Sequence, residues 1–168
     1  MSIFTSGDPA QQLDWLIRSG LIRLEITNGI PTWERSPAAT HQKRLREIAR
    51  SLTPHNTSTC ACYDLQDTYI RFRDGSIKRP DLSIFYEEPP DTTESLNIVP
   101  DAVIEIVSEG SEYKDLQLNP PFYLAQGVGD VVVLEPEQGK VTHFRIAFRQ
   151  VYQSPVTLDF LCGCRVRV

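Results

Sequence analysis

Two acidic residues, Asp81 and Glu105, lie in stretches of the sequence that are otherwise typical of buried β-strands. Glu105 stands between Ile104 and Ile106, in a run that is apolar on both faces and therefore indicates an interior strand. An ionised carboxylate in such a place is costly unless it is paired, hydrogen-bonded or bound to a metal ion. Carboxylates on two neighbouring strands can converge on one Mg²⁺, a hard cation that prefers oxygen ligands. A divalent ion held in this way can activate water and stabilise charge on a phosphodiester.

The alternative is a structural role for both acids. Asp81 would then cap or end its strand, and Glu105 would pair with an arginine or lysine in the core. In either case two strands must position these side chains. One strand follows Pro80 and the other follows Pro100, and both are short and rich in Ile, Val and Phe.

The most basic segment of the chain is predicted to be a helix that begins at Ser36-Pro37 and runs to about Leu52. Its apolar stripe consists of Leu45, Ile48, Ala49 and Leu52. The other faces are either solvated or directed at nucleic-acid phosphates. They carry Arg44, Arg46 and Arg50. His41, on the same helix, is expected to be a hydrogen-bonding partner rather than a metal ligand.

The remaining elements are predicted from turn residues and apolar periodicity. An N-terminal helix would begin at Asp8, and Asn28-Gly29 would join two strands in a hairpin. A later helix, with Asn119 as its N-cap, is expected to end at Gly127. Further strands are expected over 57–63, 68–73, 130–134 and 141–148, with one or two more in 157–168. This order favours a single domain, residues 1–168, of the α/β or α+β class, with a mixed β-sheet flanked by helices.

The composition narrows the class of protein. The chain has 168 residues, 40% of them hydrophobic, which is enough for one packed core. It contains no apolar run of transmembrane length, and the segment from Met1 to Asp14 lacks the pattern of a signal peptide, so we expect a cytoplasmic protein. The net charge of −5 argues against bulk, non-specific binding of nucleic acid, but it is compatible with a local basic patch.

Four cysteines form two Cys-x-Cys pairs, Cys60 with Cys62 and Cys162 with Cys164. If the segments that carry them were neighbours, four thiolates could bind zinc, although structural zinc sites more often use Cys-x-x-Cys. A redox-active disulfide is another option. Reduced, buried cysteines that act as small hydrophobic side chains are the interpretation we favour.

Several short motifs occur in the order found in one nuclease family. They are Glu25 before the Asn28-Gly29 turn, Ser36-Pro37 followed by His41, Arg79-Pro80-Asp81, Ile104 to Ser108, and Tyr123 to Pro136 with its Gly127-Val128. From roughly Leu24 to Phe144, the chain resembles the PD-(D/E)xK nuclease superfamily. More narrowly, it resembles the restriction-endonuclease-like family called Uma-two.

The resemblance implies a restriction-endonuclease-like fold in which Asp81 and Glu105 bind Mg²⁺ or Mn²⁺ and Glu25 assists as a further metal ligand. It also implies a lysine near the metal, which would orient the attacking water or stabilise charge on the phosphate. The sequence departs from the motif at this point. Val107 stands two residues after Glu105, where the superfamily motif has lysine.

The wider family usually places this lysine on the following helix, four residues after an aspartate that matches Asp115. Asn119 occupies that position here. The nearest candidates are Lys114, one residue before Asp115, and Lys78, three residues before Asp81. Neither has the expected spacing, and we assign Lys114 as the catalytic lysine.

Two functional hypotheses follow. The first is a Mg²⁺-dependent endonuclease that hydrolyses phosphodiester bonds in DNA, with Asp81 and Glu105 as ligands and Lys114 as helper. The second is a nuclease fold without activity that serves as an interaction or nucleic-acid-binding module, because Asn119 cannot supply a positive charge. Under both hypotheses we expect no membrane partner, and a homodimer is compatible with the fold.

Overall fold

The computed structural model describes residues 15–16, 19–55, 59–92 and 94–168 of the chain. The expected N-terminal helix from Asp8 lies for the most part outside the described residues. Within them, no helix is long and apolar enough to cross a membrane.

The elements are listed here in chain order. The first half holds β1 (Ile22–Thr27), β2 (Ile30–Arg35), α1 (Ala39–Arg50), β3 (Thr53–Pro54), β4 (Tyr63–Gln66), β5 (Ile70–Arg71), β6 (Ile77–Lys78) and β7 (Leu82–Phe85). The second half holds β8 (Ala102–Ile106), a π-helical turn (Lys114–Leu118), α2 (Asn119–Ala125), β9 (Asp130–Glu135), β10 (Lys140–Arg145), β11 (Phe148–Gln153), β12 (Thr157–Asp159) and β13 (Cys164–Arg167).

A six-stranded mixed sheet forms the centre of the molecule, in the order β11-β10-β9-β8-β7-β4. Strand β8 is antiparallel to β7 and parallel to β9, and all five of its residues are buried, as expected of an interior strand. Two smaller sheets, β2-β1-β6-β5 and β12-β13-β3, pair separately from it. The predicted α/β or α+β class, with a mixed β-sheet flanked by helices, is confirmed.

The two α-helices cover opposite faces of the central sheet because alternate residues of β8 point in opposite directions. Ile104 packs in one hydrophobic cluster with Leu45 of α1. Val103 packs in a second cluster with Tyr123 of α2. Glu105 follows the parity of Val103 and therefore points toward the side of α2.

The first hairpin was predicted correctly, but the burial of its first strand is unusual. Asn28 and Gly29 adopt φ values of 51° and 79°, the left-handed conformation that a two-residue hairpin turn requires. In β1, the buried residues are Arg23 and Glu25, whereas the apolar residues that alternate with them, Ile22, Leu24 and Ile26, are only half-buried. This sheet therefore turns a charged face toward the centre of the molecule.

Three predicted strands need correction. The strand expected over 57–63 is wrong in its described part, because Cys62 has a left-handed φ of 54° and β4 begins only at Tyr63. The strand expected over 68–73 is reduced to Ile70–Arg71. The strand expected over 141–148 ends at Arg145, where the chain reverses into β11.

The beginning of α2 also differs from the prediction. Asn119 is not an N-cap, because its backbone is already helical and continues directly from the π-helical turn before it. Its side chain is buried and is free to point away from the helix end toward β8. The tail forms two strands, β12 and β13, within the predicted range.

The favoured interpretation of the cysteines is wrong for two of them. Cys62 and Cys164 form a disulfide that joins positions 102 residues apart in the sequence. Cys60 is buried in the same cluster, and Cys162 is half-buried beside it. The spacing of the pairs could not reveal which of the sulfurs would meet.

Candidate functional site

Asp81 and Glu105 lie side by side at one end of the central sheet. Because β7 and β8 are antiparallel, the residue that precedes β7 lies opposite the end of β8. The backbone N–H of Asp81 donates a hydrogen bond to Glu105 Oε2 at 3.1 Å. Both side chains are buried, with 5% and 4% of their residues' surface exposed. The two acids thus belong to one pocket.

The Asp81 carboxylate is held by three donors. Oδ2 accepts bonds from the Ile106 N–H at 2.8 Å and from His41 Nε2 at 3.0 Å, and Oδ1 lies 3.3 Å from Arg23 Nη1. Burial alone would raise the pKa of Asp81, but the His41 bond and charge, the Ile106 N–H and the Arg23 charge together hold it below its ordinary value. The same pairing raises the pKa of His41 although burial opposes this.

Glu105 has a different environment. Its Oε1 accepts a hydrogen bond from the Tyr123 hydroxyl at 2.8 Å and one from Asn119 Nδ2 at 3.3 Å. Burial, followed by repulsion from Asp81 and Asp115, raises the pKa of Glu105 well above its ordinary value. The neutral, protonated form of Glu105 is therefore favoured when no cation is close to it.

Lys78 reaches this pocket from β6, a strand of the smaller sheet. Its Nζ lies 2.9 Å from Asn119 Oδ1 and 3.2 Å from Glu25 Oε2. Asn119 also donates to Asp115 Oδ1 at 3.2 Å. The amide of Asn119 consequently bridges an ammonium group on one side to Glu105 on the other.

Lys114, the predicted catalytic lysine, lies on the far side of Glu25. Its Nζ is 3.4 Å from Glu25 Oε2 and 3.5 Å from Asp115 Oδ1, and it also contacts Glu34 of β2. Burial opposes the charge of Lys114, but the surrounding carboxylates of Glu25, Glu105, Asp115 and Glu34 raise its pKa overall. Lys114 therefore remains an ammonium group at neutral pH.

Glu25 is a structural centre of the lysine cluster. Its Oε1 accepts the backbone N–H of Arg79 at 2.7 Å, while Oε2 contacts Lys78 and Lys114. Burial favours the neutral acid, yet these charges and bonds lower the pKa of Glu25. Both of its oxygens are engaged, and its connection to Glu105 runs through Lys78 and Asn119.

The three arginines of α1 differ in their distance from a cavity next to the site. A cavity of about 580 Å³ lies at the ends of α1 and β8, and its walls include His41, Arg44 and Ile106. His41 thus separates this cavity from Asp81. Arg46 and Arg50 are exposed but are not among the described residues that line the cavity, so only Arg44 lies beside the site.

The donor set suits a hard divalent cation. Asp81 and Glu105 bring two carboxyl groups to neighbouring positions at the ends of adjacent strands, and carboxylates are preferred ligands of Mg²⁺. His41 Nε2 lies 3.0 Å from Asp81 Oδ2 and 3.2 Å from the carbonyl oxygen of Ile106, so a positively charged donor is already favoured between these two oxygens. Either a proton or a bound cation must offset the repulsion that Asp81 and Asp115 exert on the Glu105 carboxylate.

Two contributors to the pocket were not recognised in the sequence. Arg23 was passed over because a charged residue that alternates with apolar ones is usually assigned to the solvent face. Tyr123 looked like an ordinary core residue of α2. The available signal was the pair Arg23 and Glu25, two residues apart and hence on one face of β1.

Known proteins resemble this chain in sequence and in fold. A family model, Uma2, described as a putative restriction endonuclease, matches residues 9–161. Among solved structures, the crystal structure of a putative nuclease belonging to DUF820 from Anabaena variabilis ATCC 29413 has a TM-score of 0.63 and 18% sequence identity, and the match covers 80% of this chain and 79% of that one. No curated protein matches. The structural likeness shows a nuclease fold, and the family match extends over most of the sequence. The chain therefore belongs to the Uma2 family of putative restriction endonucleases.

Proposed function

We propose that the chain is a Mg²⁺- or Mn²⁺-dependent endonuclease that hydrolyses phosphodiester bonds in DNA. The supporting observation is that Asp81 and Glu105, at the ends of two adjacent strands, share one buried site in which burial and neighbouring carboxylates raise the pKa of Glu105. Membership of a family described as restriction endonucleases supports the same reaction class.

Asp81 and Glu105 would hold the cation in this proposal, and His41 would move aside from Asp81 Oδ2. When bound, the ion supplies Lewis-acid activation of water and stabilises charge on the phosphate. Tyr123 and Asn119 orient the Glu105 carboxylate through their hydrogen bonds. Arg44, beside the cavity, provides a positive charge for the DNA backbone.

The lysines would supply positive charge that Asn119 lacks. Lys114 and Lys78 both contact Glu25, which keeps their ammonium groups near the pocket. Lys114 is the more accessible, with 18% of its side chain exposed against 3% for Lys78. We therefore retain Lys114 as the residue that stabilises charge on the phosphate, and assign Lys78 to positioning Asn119.

A plasmid-nicking assay tests the proposal. Purified protein is incubated with supercoiled DNA in Mg²⁺ or Mn²⁺, and we expect nicked and linear products. Asp81→Asn and Glu105→Gln should each lower the rate by about 100-fold or more, because several kcal/mol of charge stabilisation depend on the ion. Glu88→Gln, in an exposed loop, is the matched control and should cleave normally. Cleavage that survives both site variants would refute the assignment.

Two observations favour a second candidate function. Asp81 is already paired with Arg23 and His41, and Asn119 stands where the family has lysine. These features suit an inactive nuclease fold that acts as an interaction or nucleic-acid-binding module. Calorimetry separates the two: Mn²⁺ binding that disappears in Asp81→Asn and Glu105→Gln supports the endonuclease, whereas no binding at millimolar Mn²⁺ supports the module.

A further inference from the structure

All four cysteines converge on one point, away from the acidic pocket. The sulfur of Cys60 lies 3.2 Å from that of Cys164, which is itself bonded to Cys62. The sulfurs of Cys60, Cys162 and Cys164 all lie within 4.8 Å of one another. Two of these four sulfurs form the disulfide, and the sulfurs of Cys60 and Cys162 lie beside it.

The sulfurs come from two distant segments of the chain. Cys60 and Cys62 precede β4 at the edge of the central sheet, and Cys162 and Cys164 flank the turn between β12 and β13. Gly163 has a φ of 90°, a conformation that lets the chain reverse and bring Cys162 back toward the cluster. Cys60 and Cys62 therefore lie outside the strands, Cys162 lies in the turn, and Cys164 is the first residue of β13.

In each pair, the backbone of the second cysteine donates a hydrogen bond to the sulfur of the first. The N–H of Cys62 donates to the sulfur of Cys60 at 3.3 Å. The backbone of Cys164 makes the equivalent hydrogen bond to the sulfur of Cys162. The same relation, from the second cysteine to the first, therefore occurs twice. Hydrogen bonds from neighbouring groups orient the side chains that ligate metals.

Four sulfurs this close together repel one another once they are ionised. Several thiolates can coexist in such a place only with a cation among them. A soft or borderline divalent metal meets this requirement better than Mg²⁺.

We propose that the reduced form of this cluster binds one Zn²⁺ through Cys60, Cys62, Cys162 and Cys164. A tetrahedral site with Zn–S bonds of about 2.3 Å places its sulfurs about 3.8 Å apart. Among Cys60, Cys162 and Cys164, one sulfur separation is 3.2 Å and none exceeds 4.8 Å, a range that contains this value. Cys62 would join them once its bond to Cys164 is reduced. The site would join the segment before β4 to the β12-β13 turn, and its role would be structural.

Formation of the site requires a thiol reductant. A dithiol gives two electrons and two protons to the Cys62–Cys164 disulfide, which becomes two thiols while the reductant becomes a disulfide. Zn²⁺ then displaces four protons from the four thiols and leaves a site with a net charge of −2. The disulfide and the zinc site are therefore alternative states of the same residues.

Elemental analysis and cobalt substitution test the proposal. Protein purified with a dithiol reductant should contain one zinc per chain, released by a chelator together with a thiol-blocking mercurial. Titration of the reduced, zinc-free protein with Co²⁺ should produce thiolate-to-cobalt charge-transfer absorption and the intense visible bands of a tetrahedral site. Cys60→Ser and Cys162→Ser, both outside the disulfide, should weaken Zn²⁺ binding about tenfold or more.

The double variant Asp81→Asn/Glu105→Gln is the control and should keep its full zinc content, which separates this site from the acidic pocket. Zinc that persists in both Cys60→Ser and Cys162→Ser would overturn the proposal. So would reduced wild-type protein with four titratable thiols and no cobalt–thiolate absorption, a result that does not depend on the variants folding.

Discussion

At the scale of single residues, the two acids of the pocket have opposite electrostatic environments. Three donors lower the pKa of Asp81, whereas burial and neighbouring carboxylates raise that of Glu105. Without a cation, Asp81 is therefore ionised under conditions in which Glu105 retains a proton. Because a metal ligand must be deprotonated, a cation at this site competes with that proton.

Removing the Tyr123 hydroxyl tests this arrangement with the smallest change in side-chain shape. Its hydroxyl donates to Glu105 Oε1 at 2.8 Å, and the residue is fully buried. Tyr123→Phe should lower the free energy of unfolding by about 1–2 kcal/mol, because a buried acceptor loses a donor. Chemical denaturation measures the change. Tyr86→Phe, at an exposed position, should change stability by less than about 0.5 kcal/mol, and equal effects of the two substitutions would contradict the argument.

At the scale of elements, strand β1 departs furthest from the usual pattern of buried apolar and exposed charged residues. Its buried face carries Arg23 and Glu25. Arg23 connects to Asp81 and, at 2.7 Å, to Asp67, while Glu25 connects to the two lysines. The strand thus contributes charge to the site rather than hydrophobic area to the core.

Arg23→Met tests whether the ion pairs of Arg23 with Asp81 and Asp67 stabilise the packing of β1. The substitution keeps the length of the side chain but leaves Asp81 and Asp67 without one of their partners. Removing one member of a buried ion pair typically costs about 3–5 kcal/mol, and we expect a loss near the lower value because His41 still contacts Asp81.

Arg35→Met, on the exposed end of the same hairpin, is the control and should be nearly neutral. Both variants can be compared by thermal and denaturant unfolding. Similar stability of the two would show that the buried face of β1 contributes little.

At the scale of the whole molecule, Asp130 joins the central sheet to the β12-β13 unit. This fully buried residue of β9 accepts bonds from His143 Nε2 and from the N–H of Leu161, both at 2.7 Å, and from Arg145. Burial by itself raises the pKa of Asp130, but these bonds lower it overall. One carboxylate therefore holds β9, β10 and the turn that carries Cys162 together.

The Asp130 carboxylate should make stability depend on pH in the acid range. Its pKa in the folded protein is below the ordinary value of 3.8, so the unfolded chain binds the proton more readily. The stabilisation is present above that ordinary value and is lost as the pH falls toward the folded pKa.

Asp130→Asn should therefore be less stable than the wild type at pH 7, by roughly 1.5–3 kcal/mol, and the difference should shrink below about pH 4. Unfolding curves measured over this range provide the test, with Asp91→Asn in an exposed loop as the control. A difference that stays constant with pH would refute the role of the charge.

Three further expectations concern the whole molecule. The assignment of residues 1–168 to a single domain, a cytoplasmic location and a homodimer stay predictions. Size-exclusion chromatography with light scattering would decide the oligomeric state directly.

The sequence by itself determined the features that depend on neighbouring residues. Asn28-Gly29 set the hairpin, since these residues tolerate the left-handed conformation. The stripe with Leu45 and Ile48 placed α1 on the sheet. The apolar run around Glu105 identified β8 as a buried interior strand. Each of these follows from local conformation or from the period of a strand or helix.

Only the tertiary structure decided the features that depend on distant residues. Lys78 meets Asn119 across 41 positions of sequence, and Cys62 meets Cys164 across 102. Ala147 makes the β10-β11 turn with a φ of 58°, although no glycine, asparagine or proline marks it. The conformational preferences of single residues do not predict such contacts, because their energies come from pairs of residues that only the folded chain brings together.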